Sequence, residues 1–71
     1  MNGKNTPKTA SELIDLLGGT KKTAARFNVL PSAVSNWRAK GFPDSMHYRI
    51  FKEAEAENIK LPADFFETRA A

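Results

Sequence analysis

Short hydrogen-bonding side chains and positive charges share one part of this chain. Residues 18 to 43 hold five Lys or Arg residues and no Asp or Glu. Within them, residues 31 to 40 read PSAVSNWRAK, in which serine and asparagine side chains can both donate and accept hydrogen bonds. Small polar groups beside cations can approach base edges while the cations bind phosphates, so the chemistry available here is nucleic-acid contact.

The residue spacing in PSAVSNWRAK predicts a helix with two unlike faces. At about 100° per residue, Ala33, Val34 and Trp37 fall on one face, which we expect to be core. The opposite face is small and polar and consists of Ser32, Ser35, Asn36 and Ala39. Arg38 and Lys40 flank that polar face, and no acid lies on it. We therefore expect this helix to enter a groove of a nucleic acid.

The charges are unevenly distributed, although the net charge is only +3. Residues 1 to 15 carry no net charge, residues 16 to 43 carry +5, and residues 44 to 71 carry −2. This distribution favours a protein that presents one face to a polyanion. A chance cluster of solvated lysines would produce the same charges, so this observation alone leaves both interpretations open.

Length and composition limit the possible classes of protein. Seventy-one residues suffice for one small domain with one modest core, and the absence of Cys excludes disulfides and thiolate metal sites. No apolar run approaches the ~20 residues of a membrane span, and the N-terminus lacks a signal-peptide core. We expect a cytoplasmic protein with no cofactor.

Candidate catalytic and metal-binding groups are few. His47 is the only His and has no adjacent carboxylate pair, so a position near the core is the better interpretation than a metal ligand or a general base. Ser32 and Ser35 have no His or Lys partner at a spacing that would activate them. We therefore predict neither an enzyme nor a metal site.

The first predicted helix follows an N-terminal arm. Residues 1 to 8 have no periodicity and are predicted to be flexible. Thr9 and Glu12 have the spacing of a capping box, in which each side chain satisfies a backbone N–H at the helix start. Gly18 and Gly19 are predicted to end this helix.

The second predicted helix precedes PSAVSNWRAK. Thr20 is the expected N-cap, and Ala24 and Phe27 share a face three residues apart. Asn28 tolerates a positive φ, so a tight turn is expected there. Pro31 suits the first position of the next helix, because its missing N–H costs nothing there.

A fourth helix and a C-terminal turn are predicted beyond residue 43. Asp44 is the expected N-cap, and the expected apolar stripe is Ile50, Phe51 and Ala54. The acids Glu53, Glu55 and Glu57 are interpreted as a solvated face or as a surface that repels DNA. Of Phe65 and Phe66, one should complete the core and the other is a candidate anchor for a second subunit. The chain is thus predicted to be a compact all-α domain of four to five helices over residues 9 to 68, with residues 69 to 71 frayed.

Residues 20 to 37, TKKTAARFNVLPSAVSNW, resemble the helix-turn-helix of the small Cro and repressor proteins of bacteriophages. Ala24 matches the small residue at which the two helices touch, and Asn28 falls where the family usually has Gly. Val34 and Trp37 match core positions of the recognition helix, within the recurrent string A-V-S-x-W. The continuation GFPDSMHYRI is similar to the family's Gly-apolar-Pro junction and following helix.

The resemblance implies a domain of lambda-repressor or Cro type that acts as a sequence-specific transcriptional repressor in the bacterial nucleoid. It also implies a homodimer on double-stranded DNA, with the third helix of each copy in the major groove. Positions carried over from the family assign base contacts to Leu30, Pro31, Ser32, Ser35, Asn36 and Ala39. The family positions assign phosphate contacts to Thr20 and Lys21. The charge pattern extends these contacts to all five cations of the acid-free stretch, Lys21, Lys22, Arg26, Arg38 and Lys40. The alternative is a protein-interaction module, such as an adaptor or antirepressor, whose binding would depend less on salt.

Overall fold

The computed structural model of the protein describes residues 6 to 62 and 65 to 67, and its regular elements are helical. The α-helices are α1 (Ala10–Leu16), α2 (Thr20–Phe27), α3 (Pro31–Lys40) and α4 (His47–Ala56), with 3₁₀ turns at Asp44–Met46 and Phe65–Glu67. No strand occurs among the described residues, and the Cα radius of gyration is 11.1 Å. The prediction of a small, compact all-α domain is confirmed.

Helix α1 is fixed at both ends by the residues that the sequence indicated. The Oγ1 atom of Thr9 accepts a hydrogen bond from the backbone N–H of Glu12 at 3.1 Å. The Glu12 carboxylate accepts from the N–H of Lys8 at 2.8 Å, one residue before the usual capping-box donor. Gly18 and Gly19 follow the helix with φ values of 111° and 99°, which only glycine adopts without strain.

The predicted N-terminal arm is described only from residue 6 onward. Pro7 is fully buried, and the Lys8 N–H is bound by Glu12. Residues 6 to 8 therefore continue the packed structure toward the N-terminus. The prediction for residues 1 to 5, like that for residues 69 to 71, lies outside the described residues.

The prediction that Thr20 is the N-cap of α2 is wrong. Gly19 occupies the cap position, and its carbonyl accepts from the N–H of Thr23 at 3.0 Å. Thr20 is the first residue of the helix, and its hydroxyl accepts instead from Nε of Arg38 at 3.0 Å. The glycine can adopt the extended positive-φ conformation that starts the helix, and this leaves the threonine hydroxyl available to a neighbouring helix.

The turn between α2 and α3 is built as predicted. Asn28 is in the left-handed conformation, at φ 59° and ψ 48°. The N–H of Val29 returns to the carbonyl of Ala24 at 2.9 Å, and Leu30 is the N-cap position of α3. Pro31 is the first residue of α3, and Gly41 is its C-cap. Three residues therefore connect the two helices.

Trp37 lies in the centre of the core. Its ring makes edge-to-face contacts with Phe27, at 6.0 Å between centroids, and with Phe42, at 5.4 Å. Only 7% of Trp37 is exposed, and Val34 on the same face of α3 is fully buried. The core position predicted for Trp37 is confirmed, and these contacts hold the polar face of α3 outward.

Two details of the fourth helix were predicted wrongly. Helix α4 begins at His47 with Met46 in the cap position, and Asp44 lies earlier, in the 3₁₀ turn. Ile50 and Ala54 are buried as predicted, but 47% of Phe51 is exposed. The helix is rolled so that its buried stripe repeats every four residues, and Phe51 lies about 100° around the helix from Ile50.

The C-terminal phenylalanines both pack on the domain. Phe65 is 7% exposed and completes the core, as one of the two was expected to do. Phe66 is half-buried and stacks on the ring of His47 at 4.1 Å between centroids. His47 is accordingly half-buried beside the core, as predicted. Phe66 is a poor candidate for the exposed subunit anchor, because its ring already has a partner within the domain.

Candidate nucleic-acid interface

The outward face of α3 consists of short, solvent-exposed side chains. The exposed residues are Pro31, Ser32, Ser35, Asn36 and Ala39. Val34 and Trp37 are buried on the opposite side of the same helix. Because the core fixes that side, the polar side chains project from a rigid element. A helix with no bulky outward side chain can lie close to the floor of a DNA major groove.

Three lysines of the acid-free stretch have exposed side chains. Lys21 and Lys22 are in the first turn of α2, and Lys40 is the last residue of α3. Solvated lysine side chains carry a positive charge at neutral pH. Such compact charges on flexible stems suit contact with a phosphate backbone, because they can adjust to its position.

Arg38 is held inside the domain by three other residues. Its Nε donates to the Thr20 hydroxyl at 3.0 Å, and its Nη2 donates to Oδ1 of Asp15 at 2.8 Å. Its Nη1 donates to the hydroxyl and the carbonyl oxygen of Ser11, at 2.8 and 3.3 Å. The guanidinium thus connects the end of α3 to both α1 and α2.

These bonds change how two of the predicted phosphate contacts are interpreted. The Arg38 side chain is only 27% exposed, and the Thr20 hydroxyl oxygen accepts one of its hydrogen bonds, which leaves the Thr20 O–H able to donate. The sequence gives only a weak indication that Arg38 binds within the domain. Position 38 lies about 100° from Trp37 around α3, at the margin of the buried face. Nothing local to Arg38 identifies Ser11 and Asp15 as partners.

Arg26 also has acidic partners within the domain. Its Nη1 lies 2.6 Å from Oε1 of Glu53, on α4, and 3.1 Å from Oε2 of Glu57, at the C-terminal end of that helix. The hydrogen bond that Arg26 donates to Glu53 is the main cause of a pKa for Arg26 above its ordinary value. These two acids remain partly solvated, at 34% and 44% exposed, and they also bind the α2 cation, which the interpretation as a solvated face did not include. Such half-exposed pairs contribute about 0 to 1 kcal/mol each.

The amino end of α3 adds an apolar element to this surface. Leu30 is 72% exposed and directly precedes Pro31, which is also exposed. Apolar side chains at such a position can contact a thymine methyl group in the major groove. Leu30 and Pro31 thus add exposed apolar side chains at the start of α3, and Ala39 is exposed near its end.

Metal-binding clusters and membrane-spanning helices do not occur in the described part of the chain. No three or more His, Cys, Asp or Glu side chains come together there in a group that could hold a metal ion. Within the same residues, no helix has both the length and the apolar character that crossing a membrane requires.

Comparisons with known proteins do not identify a function for this surface. No protein-family model, curated protein or solved structure matches the chain. The resemblance of residues 20 to 37 to Cro and repressor proteins therefore stays a prediction, and any functional assignment depends on the chemistry of the α3 surface.

Proposed function

We propose that the protein binds double-stranded DNA sequence-specifically, with α3 in the major groove, and represses transcription by occupying its site. The observation that carries the proposal is the exposed, acid-free face of α3, held outward by the buried Val34 and Trp37. Hydrogen-bonding side chains on a rigid helix read base edges, and surrounding cations bind the backbone. Bound protein would then exclude polymerase from the same DNA.

Within this proposal, the exposed lysines make the main phosphate contacts. Lys21, Lys22 and Lys40 are exposed, whereas Arg26 and Arg38 already bind acids of the domain. Moving either arginine to a phosphate would break those internal bonds. We therefore assign to both arginines a smaller share of DNA affinity than the charge pattern alone suggests.

A second copy of the chain belongs to the proposal. One ten-residue helix spans few base pairs, so a single domain would bind weakly. Proteins with this motif gain affinity by placing two recognition helices in successive major grooves, about 34 Å apart, on a two-fold symmetric site. We propose a homodimer on DNA.

The phosphate assignment predicts how salt should affect lysine variants. Lys21→Ala, Lys22→Ala or Lys40→Ala should each weaken binding to all sequences alike and reduce the salt slope of log K by about 1 for each phosphate that the side chain neutralises. Fluorescence anisotropy titrations at several salt concentrations measure this. Lys60→Ala is the matched control, because Lys60 is exposed beyond α4 and should leave the slope unchanged. An altered sequence preference with an unchanged slope would contradict the assignment.

Asn36 is predicted to read one base pair in each half-site. Its side chain is exposed on the face opposite the core, and Asn can form two hydrogen bonds with adenine. Asn36→Ala should lose about 1 to 3 kcal/mol at that base pair and little on random DNA. Selections from randomised duplexes, with wild type beside variant, measure the preference, and an unchanged thermal midpoint controls for folding. Identical preferred sites from both proteins would refute this role and leave Asn36 with a phosphate or water contact.

The second candidate function is a protein-interaction module that uses the same helices. The observation in its favour is the exposure of Leu30, 72%, at the start of α3, since exposed apolar side chains also suit a protein partner. Salt dependence distinguishes the two functions, because phosphate binding weakens steeply as counterions compete.

A further inference from the structure

The side of α4 that faces away from the core carries an unusual set of side chains. We name Tyr48, Phe51, Lys52 and Glu55 the α4 outer face. The exposed fractions of Tyr48 and Phe51 are 71% and 47%. The amine of Lys52 lies 6.0 Å from the centroid of the Tyr48 ring and 3.9 Å from Oε1 of Glu55. Helical spacing places Phe51 three residues from Tyr48 and four from Glu55, so the four side chains lie on one side of α4, with two aromatic rings and one charge of each sign.

The proposed DNA interface does not account for this surface. Neighbouring aromatic rings exposed on a helix are a common feature of interaction sites. DNA is an unfavourable occupant, because the charges of Lys52 and Glu55 cancel and the face offers phosphate no net attraction. The α4 outer face does not pack on the domain's own core either, because Ile50 and Ala54 are buried on the other side of the same helix.

We propose that the α4 outer face pairs with the same face of a second copy of the chain, with the two helices antiparallel about a two-fold axis. In that arrangement Lys52 lies opposite Glu55 of the partner subunit, and symmetry forms this ion pair twice. The aromatic rings of both copies would pack beside the ion pairs. The face has no net charge, so two otherwise cationic domains can approach there without repulsion.

A dimer through the α4 outer face would supply the second copy that two half-sites require. Its biological purpose therefore rests on the proposed function. Self-association itself can be measured without DNA. One face of a ten-residue helix buries less area than the ~1,200–2,000 Å² of a stable interface. We therefore expect a weak dimer in free solution, with a Kd between about 10 μM and 1 mM.

Sedimentation equilibrium of the full chain over that concentration range tests the proposal. Lys52→Glu and Glu55→Lys should each weaken the dimer about tenfold, because each places like charges opposite one another. An equimolar mixture of these two variants should recover the wild-type affinity as a heterodimer. The mixture cannot restore the contact between Lys52 and Glu55 within one helix, so recovery isolates the pairing between subunits.

Two further variants complete the experiment. Phe51→Ser should abolish the dimer by removing a half-exposed ring, and Lys60→Glu, outside the face, should leave it unchanged. Thermal melts check that every variant is folded.

A wild type that remains monomeric up to about 1 mM would overturn the proposal and leave the face to a different protein. A dimer insensitive to Lys52→Glu, or single variants that fail to complement each other, would also overturn it. A dimer that behaves as expected but does not bind DNA would refute the proposed function alone.

Discussion

Replacing Trp37 with Ala should lower the free energy of unfolding by about 3 to 5 kcal/mol. The side chain is only 7% exposed, and a cavity would take the place of its edge-to-face packing on Phe27 and Phe42. Small domains have only about 5 to 15 kcal/mol of stability, so the variant should retain little resistance to heat or denaturant. Urea denaturation followed by circular dichroism measures the change.

Variants of Trp37 also distinguish a structural role of the indole from contact with DNA. Trp37→Phe keeps an aromatic ring in the core and should be less destabilising than the alanine variant. Loss of DNA binding by the alanine variant should parallel its loss of folded protein. A variant that retains the wild-type melting midpoint but no longer binds DNA would show that the indole contacts the nucleic acid.

Arg38→Ala should lower the free energy of unfolding by about 2 kcal/mol, because it removes charge-assisted hydrogen bonds. Such bonds contribute about 1.5 to 3 kcal/mol each when buried, and solvent exposure of the Arg38 side chain reduces their contribution here. The acceptors that lose their donor are on Ser11, Asp15 and Thr20, so α3 would no longer have its polar attachment to both earlier helices. Arg38→Lys should recover little, since an ammonium group cannot reproduce the planar fork of donors.

Thermal and urea melts of Arg38→Ala beside Lys40→Ala test this assignment. Lys40 is exposed two residues further along α3, and its replacement should change stability by no more than about 0.5 kcal/mol. A variant of Arg38 that melts like wild type while its salt slope on DNA falls by about 1 would contradict the structural role and return this arginine to phosphate contact.

The sequence predicted the local features of the fold well. The capping hydroxyl of Thr9, the left-handed turn at Asn28 and the initiating Pro31 each depend on backbone preferences that act within a few residues. The burial of Val34 and Trp37 follows from helical periodicity, so the composition of the exposed α3 face was also predictable.

The contacts between distant residues were not predictable in the same way. Arg38 and Asp15 are 23 residues apart, and Arg26 and Glu53 are 27 residues apart. Which arginine meets which acid depends on how each helix is rolled and placed against its neighbours, and periodicity does not determine this. The same roll exposes Phe51, which a pattern of apolar residues alone assigned to the core.

The proposal that α3 and its surrounding lysines bind DNA is tested most directly by one salt titration. Fluorescence anisotropy would follow binding of the wild-type protein to a labelled duplex from the DNA flanking its own coding region, between about 50 and 200 mM salt. With three lysine contacts per copy, we expect log K to fall linearly with log salt, with a slope of about −3 for one copy and about −5 for two. Binding that does not change over this range, or no binding at the lowest salt concentration, would contradict the proposal.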